Sequence, residues 1–167
     1  MISMKRIWAP WRMKYIEEHE SAGCIFCEKP KVKKDKKSYI LYRGKLCFVM
    51  MNIFPYTHCH IMVAPYRHLP SYSKLDREEL LEVGSVLQES IRVLDETLHA
   101  EGLNIGINEG RVAGAGIDQH MHIHIVPRWK GDTNFMPLLA EVRVFPEHLD
   151  ETFDKIYPVF QKIRLSL

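Results

Sequence analysis

The chain has 167 residues, 46% apolar and 26% charged, with a formal net charge of +2. That length and composition support one packed core and argue against disorder. The small net charge argues against general nucleic-acid binding, and no apolar run approaches the roughly 18 residues that a bilayer span needs.

Residues 1–23 form an aromatic, basic leader with no continuous apolar stretch of the signal-peptide kind; too rich in Trp and Tyr for a floppy tail, it is expected to dock on the body or on a partner. Four cysteines, Cys24, Cys27, Cys47 and Cys59, do not make a disulfide framework in a chain this long, so reduced thiols and a cytoplasmic location are expected. Residues 28–37, "EKPKVKKDKK", carry six lysines and read as a solvated loop, with steering of an anionic substrate as the sharper alternative. Residues 39–52 split at Arg43-Gly44-Lys45 into a hairpin, and "HIMVAP", 60–65, reads as a buried strand ended by Pro65. Cys47 and Cys59 fall in these segments as small buried residues.

The clearest helix spans 76–100. Asp76 and Glu79 have capping-box spacing, and Leu80, Val83, Leu87, Ile91, Leu94 and Leu98 recur at steps of three and four. "LNIGIN" reads as a strand and "EGRVAGAG", 109–116, as a glycine-rich turn that lacks P-loop spacing. "QHMHIHIVP" reads as a strand stopped by Pro127. A weaker helix follows Pro146 and is interrupted near Pro158. Trp8, Trp11 and Trp129 are assigned to packing or an interface by default. With no internal repeat and no linker, residues 1–167 read as a single domain: a leader (1–23), a motif-bearing core (24–128) and a C-terminal extension (129–167). Strands joined mostly by short turns point to an antiparallel α+β sheet.

Chemistry concentrates at His120, His122 and His124. On a strand these share one face, with Met121, Ile123 and Ile125 on the other, and His120 and His124 stand roughly 13 Å apart. One metal ion does not readily bind both, so the row is not a single three-histidine metal site. The bland reading is a polar sheet face. The sharper one uses imidazole as nucleophile, proton shuttle or phosphate donor. Cys24 and Cys27 have knuckle spacing, open to a zinc half-site, a redox pair or two packed thiols, although the βαβ context of a redox pair is missing.

"HMHIHIV" resembles the signature of the nucleotide-binding histidine-triad family. "CIFC", "MNIFPYTHCHIMVAPYRH" and "GLNIGINEG" extend the resemblance over residues 24–128 in the family's order, while "WAPWRMKYI" and "PRWKGDTNFMPLL" look like the diadenosine tetraphosphate phosphorylase branch. The resemblance implies a five-stranded antiparallel sheet with a long helix packed on it, and a homodimer in which two sheets join. It implies cleavage of a nucleotide phosphoanhydride, in a dinucleoside polyphosphate such as diadenosine tetraphosphate or triphosphate. The route is a covalent nucleotidyl-His122, resolved by inorganic phosphate or water. A nucleoside phosphoramidate hydrolase and a non-catalytic, zinc-stabilised nucleotide-binding module are the alternatives.

By the same resemblance, His124 binds phosphate oxygens, His60 completes the catalytic set, Asn108 bonds the phosphate side and Asn52 the ribose. Gly116 stands where relatives carry Gln or Ser toward the leaving oxygen, leaving Asp118, Gln119 or a backbone N–H to substitute. His68 and His120 join Cys24 and Cys27 in a closed Cys₂His₂ set that suits a structural zinc. No organic cofactor, membrane or nucleic-acid partner is expected.

Overall fold

A computed structural model of the chain describes residues 23–132 and 146–165. The expectations for the leader, including Trp8 and Trp11, lie outside these residues, as does all of "TNFMPLL". Five strands are present: β1 (Ile40–Arg43), β2 (Cys47–Met51), β3 (Ile61–Pro65), β4 (Gly102–Ile107) and β5 (Ile123–Arg128). They form one sheet in the order β1-β2-β3-β5-β4, every pair antiparallel. The architecture is α+β, as expected. Among the described residues no helix is long and apolar enough to cross a membrane.

Period-two alternation sorts the two faces of the sheet. Val49, Met51, Ile61, Val63, Ile123 and Ile125 point to the helical side, where α3 (Arg77–Leu98) and α4 (Leu149–Phe160) add Val86, Leu94, Ile156 and Phe160. Met121 packs there too, so the expected apolar side of the histidine run is present. Phe48, Met50, Met62 and Ala64 point to the other face, roofed by Phe26 from α1 (Ile25–Glu28). His124 stands opposite Met62 in the β3–β5 register, which puts it on this second, thinner face.

Helix α3 starts where expected. The Asp76 carboxylate accepts from the Glu79 N–H at 2.9 Å, and Glu79 accepts from the Asp76 N–H at 3.0 Å. The helix ends at Leu98, two residues short of expectation, because His99 takes the left-handed conformation (φ 49°) usual for a helix stop. Its packed face also differs in part. Leu80 is 37% exposed, while Glu79 and Glu82 are buried. Each carboxylate has partners that hold it there: Glu79 binds Arg67, and Glu82 Oε1 accepts from the N–H groups of Leu46 (2.7 Å) and Cys47 (3.1 Å). Glu82 thus fastens the β1–β2 turn. A Cβ on Gly44 would overlap its Oε1 and come within 2.9 Å of the Cys47 carbonyl.

Three other expectations change. Residues 28–37 are not simply a loop: they contain a 3₁₀ turn (Lys29–Lys31) and the short α2 (Asp35–Ser38). Arg43 holds the run down through Asp35 and the carbonyls of Pro30 and Val32. Strand β5 begins only at Ile123 and runs through Pro127 to Arg128. The ladder with β3 ends at Ile125, so Pro127 needs no N–H on that side, and its carbonyl takes the Thr57 hydroxyl instead (2.8 Å). Helix α4 continues through Pro158 and ends two residues later, so the missing N–H falls in its last turn.

Candidate active site and metal centre

Two groups of side chains meet where the chain enters β5. The Met121 N–H donates to the Leu69 carbonyl (2.7 Å), tying this entry to the segment that follows β3. His120 therefore lies beside His68 and α1, before the strand begins. Its Nδ1 is 3.3 Å from Cys24 Sγ and 3.6 Å from Cys27 Sγ, and Cys27 Sγ is 3.3 Å from His68 Nδ1. The four donor atoms all lie within 4.8 Å of one another. Tetrahedral zinc with bonds of about 2.0–2.3 Å separates its ligand atoms by about 3.3–3.8 Å, so the donor set fits that ion.

His120 Nε2 donates to the Pro65 carbonyl (2.9 Å), the kind of outer hydrogen bond that leaves Nδ1 as the ligand atom. Burial lowers the His120 pKa to about 4, with His68 and His122 adding to the effect and the Pro65 carbonyl opposing it. Burial pushes the Cys24 thiol up to about 11, so ligation there would release a proton. Arg67, next to His68, is held by the buried Glu79 carboxylate at 2.9 Å, which fixes the chain at that ligand.

The second group is a chain of imidazoles whose tautomers follow from their partners. His60 Nδ1 receives the Tyr56 backbone N–H (3.1 Å) and faces the Asn52 side-chain nitrogen (3.3 Å), so it is an acceptor. His60 Nε2 then carries the proton and donates to His124 Nδ1 at 2.9 Å. His124, accepting at Nδ1, holds its own proton on Nε2. His122 is set the other way. Its Nδ1 donates to the His120 carbonyl (2.8 Å), which leaves Nε2 with the lone pair.

The His122 ring lies 4.7 Å from that of His124 and 4.5 Å from that of Phe26. It is only 5% exposed, so this imidazole is covered by its neighbours. That burial lowers its pKa below the ordinary 6.5, with the His120 carbonyl opposing. The arrangement sets an unprotonated imidazole nitrogen beside an imidazole N–H donor, suited to attack on an electrophile that carries negative oxygens.

Of the expected site residues, the structure brings together His60, His122, His124 and Asn52 in one cluster and Cys24, Cys27, His68 and His120 in the other. Asn52 supports the His60 tautomer and also accepts the Phe54 N–H (2.9 Å). Asn108 borders a trough that begins at His124. Gly116 and Gln119 lie on the exposed loop leading to His120, and Asp118 is engaged by Arg111 at 3.2 Å. His58 pairs with Glu147 (3.5 Å), and the Trp129 indole caps the end of α3 through the His99 carbonyl (3.2 Å). The sequence reading missed Phe26, set between the two cysteines, and Tyr56, four residues before His60. Tyr56 stacks 4.7 Å from the His60 ring.

The sheet and its two histidine clusters define a class: an α+β protein that buries an imidazole with an unprotonated ring nitrogen beside a Cys₂His₂ donor set. The family model described as "HIT domain" matches residues 33–131, and the chain belongs to the histidine-triad family. It is 34% identical over 158 residues, 89% of this chain and 80% of the relative, to a Mycobacterium tuberculosis protein named AP-4-A phosphorylase. It is 34% identical over 57% of its length, and 52% of the relative's, to the Schizosaccharomyces pombe bis(5'-nucleosyl)-tetraphosphatase [asymmetrical]. Among solved structures, a Zn-bound histidine triad family protein from Mycobacterium smegmatis superposes with a TM-score of 0.65 at 27% identity, covering 85% of this chain and 96% of that one.

Proposed function

We propose that the protein cleaves a phosphoanhydride of a dinucleoside polyphosphate, such as diadenosine tetraphosphate or triphosphate, through a nucleotidyl-His122 intermediate. The observation that carries this reading is the tautomer arrangement: the His122 Nε2 lone pair stands beside a His124 that holds its proton on Nε2. The names of the relatives supply the substrate class.

His122 Nε2 attacks the α-phosphorus. An N–P bond forms, the P–O bond to the leaving nucleotide breaks, and the departing oxygen takes the electron pair. His124 donates from Nε2 to the phosphoryl oxygens as charge builds on them, and His60 holds it in that tautomer. In the second step an oxygen of inorganic phosphate attacks the same phosphorus, the N–P bond breaks, and the imidazole is restored. Diadenosine tetraphosphate then gives ADP and ATP. Water as acceptor gives AMP and ATP. The low His122 pKa keeps the attacking nitrogen unprotonated at neutral pH. Asn108 lies on the phosphate side and Asn52 on the ribose side, and Gly116 and Gln119 belong to the loop that leads to the nucleophile and border the bound nucleotide there.

Cys24, Cys27, His68 and His120 would hold a structural zinc, which supplies a cross-link and no step of the reaction. We also read the chain as a single cytoplasmic domain and a homodimer joined along β4. That strand ends the sheet order and presents Ile105 at 45% exposure.

The test is incubation of the purified protein with diadenosine tetraphosphate, with and without inorganic phosphate, followed by anion-exchange separation. ADP and ATP formed only with phosphate establish a phosphorylase, and AMP and ATP in both conditions a hydrolase. No product, alongside turnover of adenosine 5'-phosphoramidate, would refute the polyphosphate reading.

A further inference from the structure

A trough of about 370 Å³ runs along the second face of the sheet, away from His124. Its floor follows β5, where His124, Val126 and Arg128 alternate onto one face, and its sides include Tyr56, Asn104 and Asn108. His124 and Arg128 are four residues apart on a strand, about 13 Å. A single phosphate on His124 cannot reach that far, whereas a chain of several phosphates can.

The chemistry of the far end is one-sided. Arg128 Nε and Nη2 bind the two carboxylate oxygens of Asp132 (2.6 and 2.9 Å), and Nη1 donates to Asn104 Oδ1 (2.8 Å). These three bonds fix the orientation of the guanidinium and, among the described residues, use three of its five N–H groups. Asn104 accepts from Arg128 through its oxygen, which orients its amide N–H₂ as a donor. Among the described residues no carboxylate lines the trough, and Asp132 is not part of its lining. The far end is therefore a cluster of fixed donors, with the arginine charge offset by Asp132. It suits an acceptor-rich oxyanion recognised by geometry more than by net charge.

We propose that this trough receives the outgoing polyphosphate chain, and that Arg128 and Asn104 bind its distal phosphate and so set the preferred length of the leaving group. The inference rests on the proposed function and deepens it. The α-phosphorus sits at His122 and His124, the bridging phosphates lie over Val126, and the terminal leaving-group phosphate meets the Arg128–Asn104 donors. Small leaving groups such as ammonia do not reach them. Discrimination thus arises from a span between two anchored points on one strand.

Two variants test this, Arg128→Ala and Asn104→Ala. The second leaves the Arg128–Asp132 pair in place. The first readout is calorimetric binding of inorganic tripolyphosphate, which needs no turnover. Both variants should weaken it by about tenfold or more, the size of one lost hydrogen bond to an ion. The second readout is the ratio of kcat/KM for diadenosine tetraphosphate to that for adenosine 5'-phosphoramidate, which should fall by a similar factor. Unchanged tripolyphosphate binding overturns the proposal. So does an equal loss on both substrates, which would mean that the pair only braces the turn at Trp129. A wild-type protein that binds tripolyphosphate through Arg128 yet turns over no polyphosphate would refute the proposed function and leave the trough assignment standing.

Discussion

His60→Phe isolates the imidazole chain. His60 is 1% exposed, and its two nitrogens serve the Tyr56 N–H and His124 Nδ1. Phenylalanine keeps a flat ring and removes both functions. Leaving the Tyr56 N–H and His124 Nδ1 unsatisfied costs about 2–4 kcal/mol, and roughly 5–15 °C in Tm for a chain of this size. The kinetic loss is separate. Without a donor at Nδ1, His124 is free to move its proton there, and the Nε2–H that we propose serves the phosphoryl oxygens is lost. Removing one such donor from a developing oxyanion lowers kcat by about 10²–10³-fold. The assay is phosphorolysis of diadenosine tetraphosphate at saturating phosphate, with ¹⁵N spectra reporting the His124 tautomer. His60→Gln, which keeps a donor and an acceptor, should recover part of both losses. A His60→Phe protein with the wild-type kcat, or with His124 still protonated on Nε2, would refute the tautomer argument.

Cys24→Ser should lose bound zinc and melt at a lower temperature, because structural metal binding is coupled to folding. Zinc retained one-to-one in that variant would rule out the Cys₂His₂ set. Glu82→Ala leaves the Leu46 and Cys47 N–H groups without their acceptor and should cost roughly 2–5 kcal/mol in chemical denaturation. Gly44→Ala, which displaces the same carboxylate, should be clearly less than additive with it, and full additivity would count against the contact. Hydrogen bonding from Arg67, together with the Asp76 N–H and the arginine charge, holds the Glu79 carboxyl below its ordinary 4.5 against the opposing effect of burial. Its stabilising contribution is therefore complete above pH 4.5 and lost as pH falls through the lowered folded value. Urea midpoints from pH 7 to 3 should show a shallower acid decline in Glu79→Gln, and an unchanged decline would contradict this.

The elements that the sequence announced were those with local signals. The Asp76–Glu79 box marks the start of α3 within its own first turn, and Arg43-Gly44-Lys45 sits at the β1–β2 turn. Met121, Ile123 and Ile125 alternate correctly because period two is a property of the backbone. The misreadings depended on what lay across the fold. Leu80 matched the helical period, but Glu79 and Glu82 are the buried residues because Arg67 and a turn elsewhere in the chain satisfy them. Pro127 looked like a strand stop, but β3 had already left its side of the sheet. Spacing placed the three histidines on one straight strand, whereas the Leu69 carbonyl holds the chain before β5 and sends His120 to the cysteines. Phe26 carried no signal of its own, since its contact with the His122 ring far along the chain is visible only in three dimensions, and Tyr56, though near His60 in sequence, meets that ring only through the turn between them.

The four donors of the Cys₂His₂ set come from widely separated parts of the chain. Cys24 and Cys27 share one helical turn, His68 follows β3, and His120 precedes β5, so the contact from Cys24 to His120 spans 96 positions. A zinc finger closes its metal loop within a short peptide and can be nucleated by the ion. Here only the two cysteines are near each other before folding, and two thiolates make half a coordination shell. If the set binds zinc as proposed, high-affinity uptake waits until β3 and β5 have paired and brought both imidazoles to the cysteines, a non-local and therefore slow event. In a refolding experiment, a zinc-responsive dye should report metal capture in the slowest phase, together with the near-ultraviolet signal of the packed core. The ion would then act as the latch on a finished sheet, slowing its opening far more than it speeds its formation.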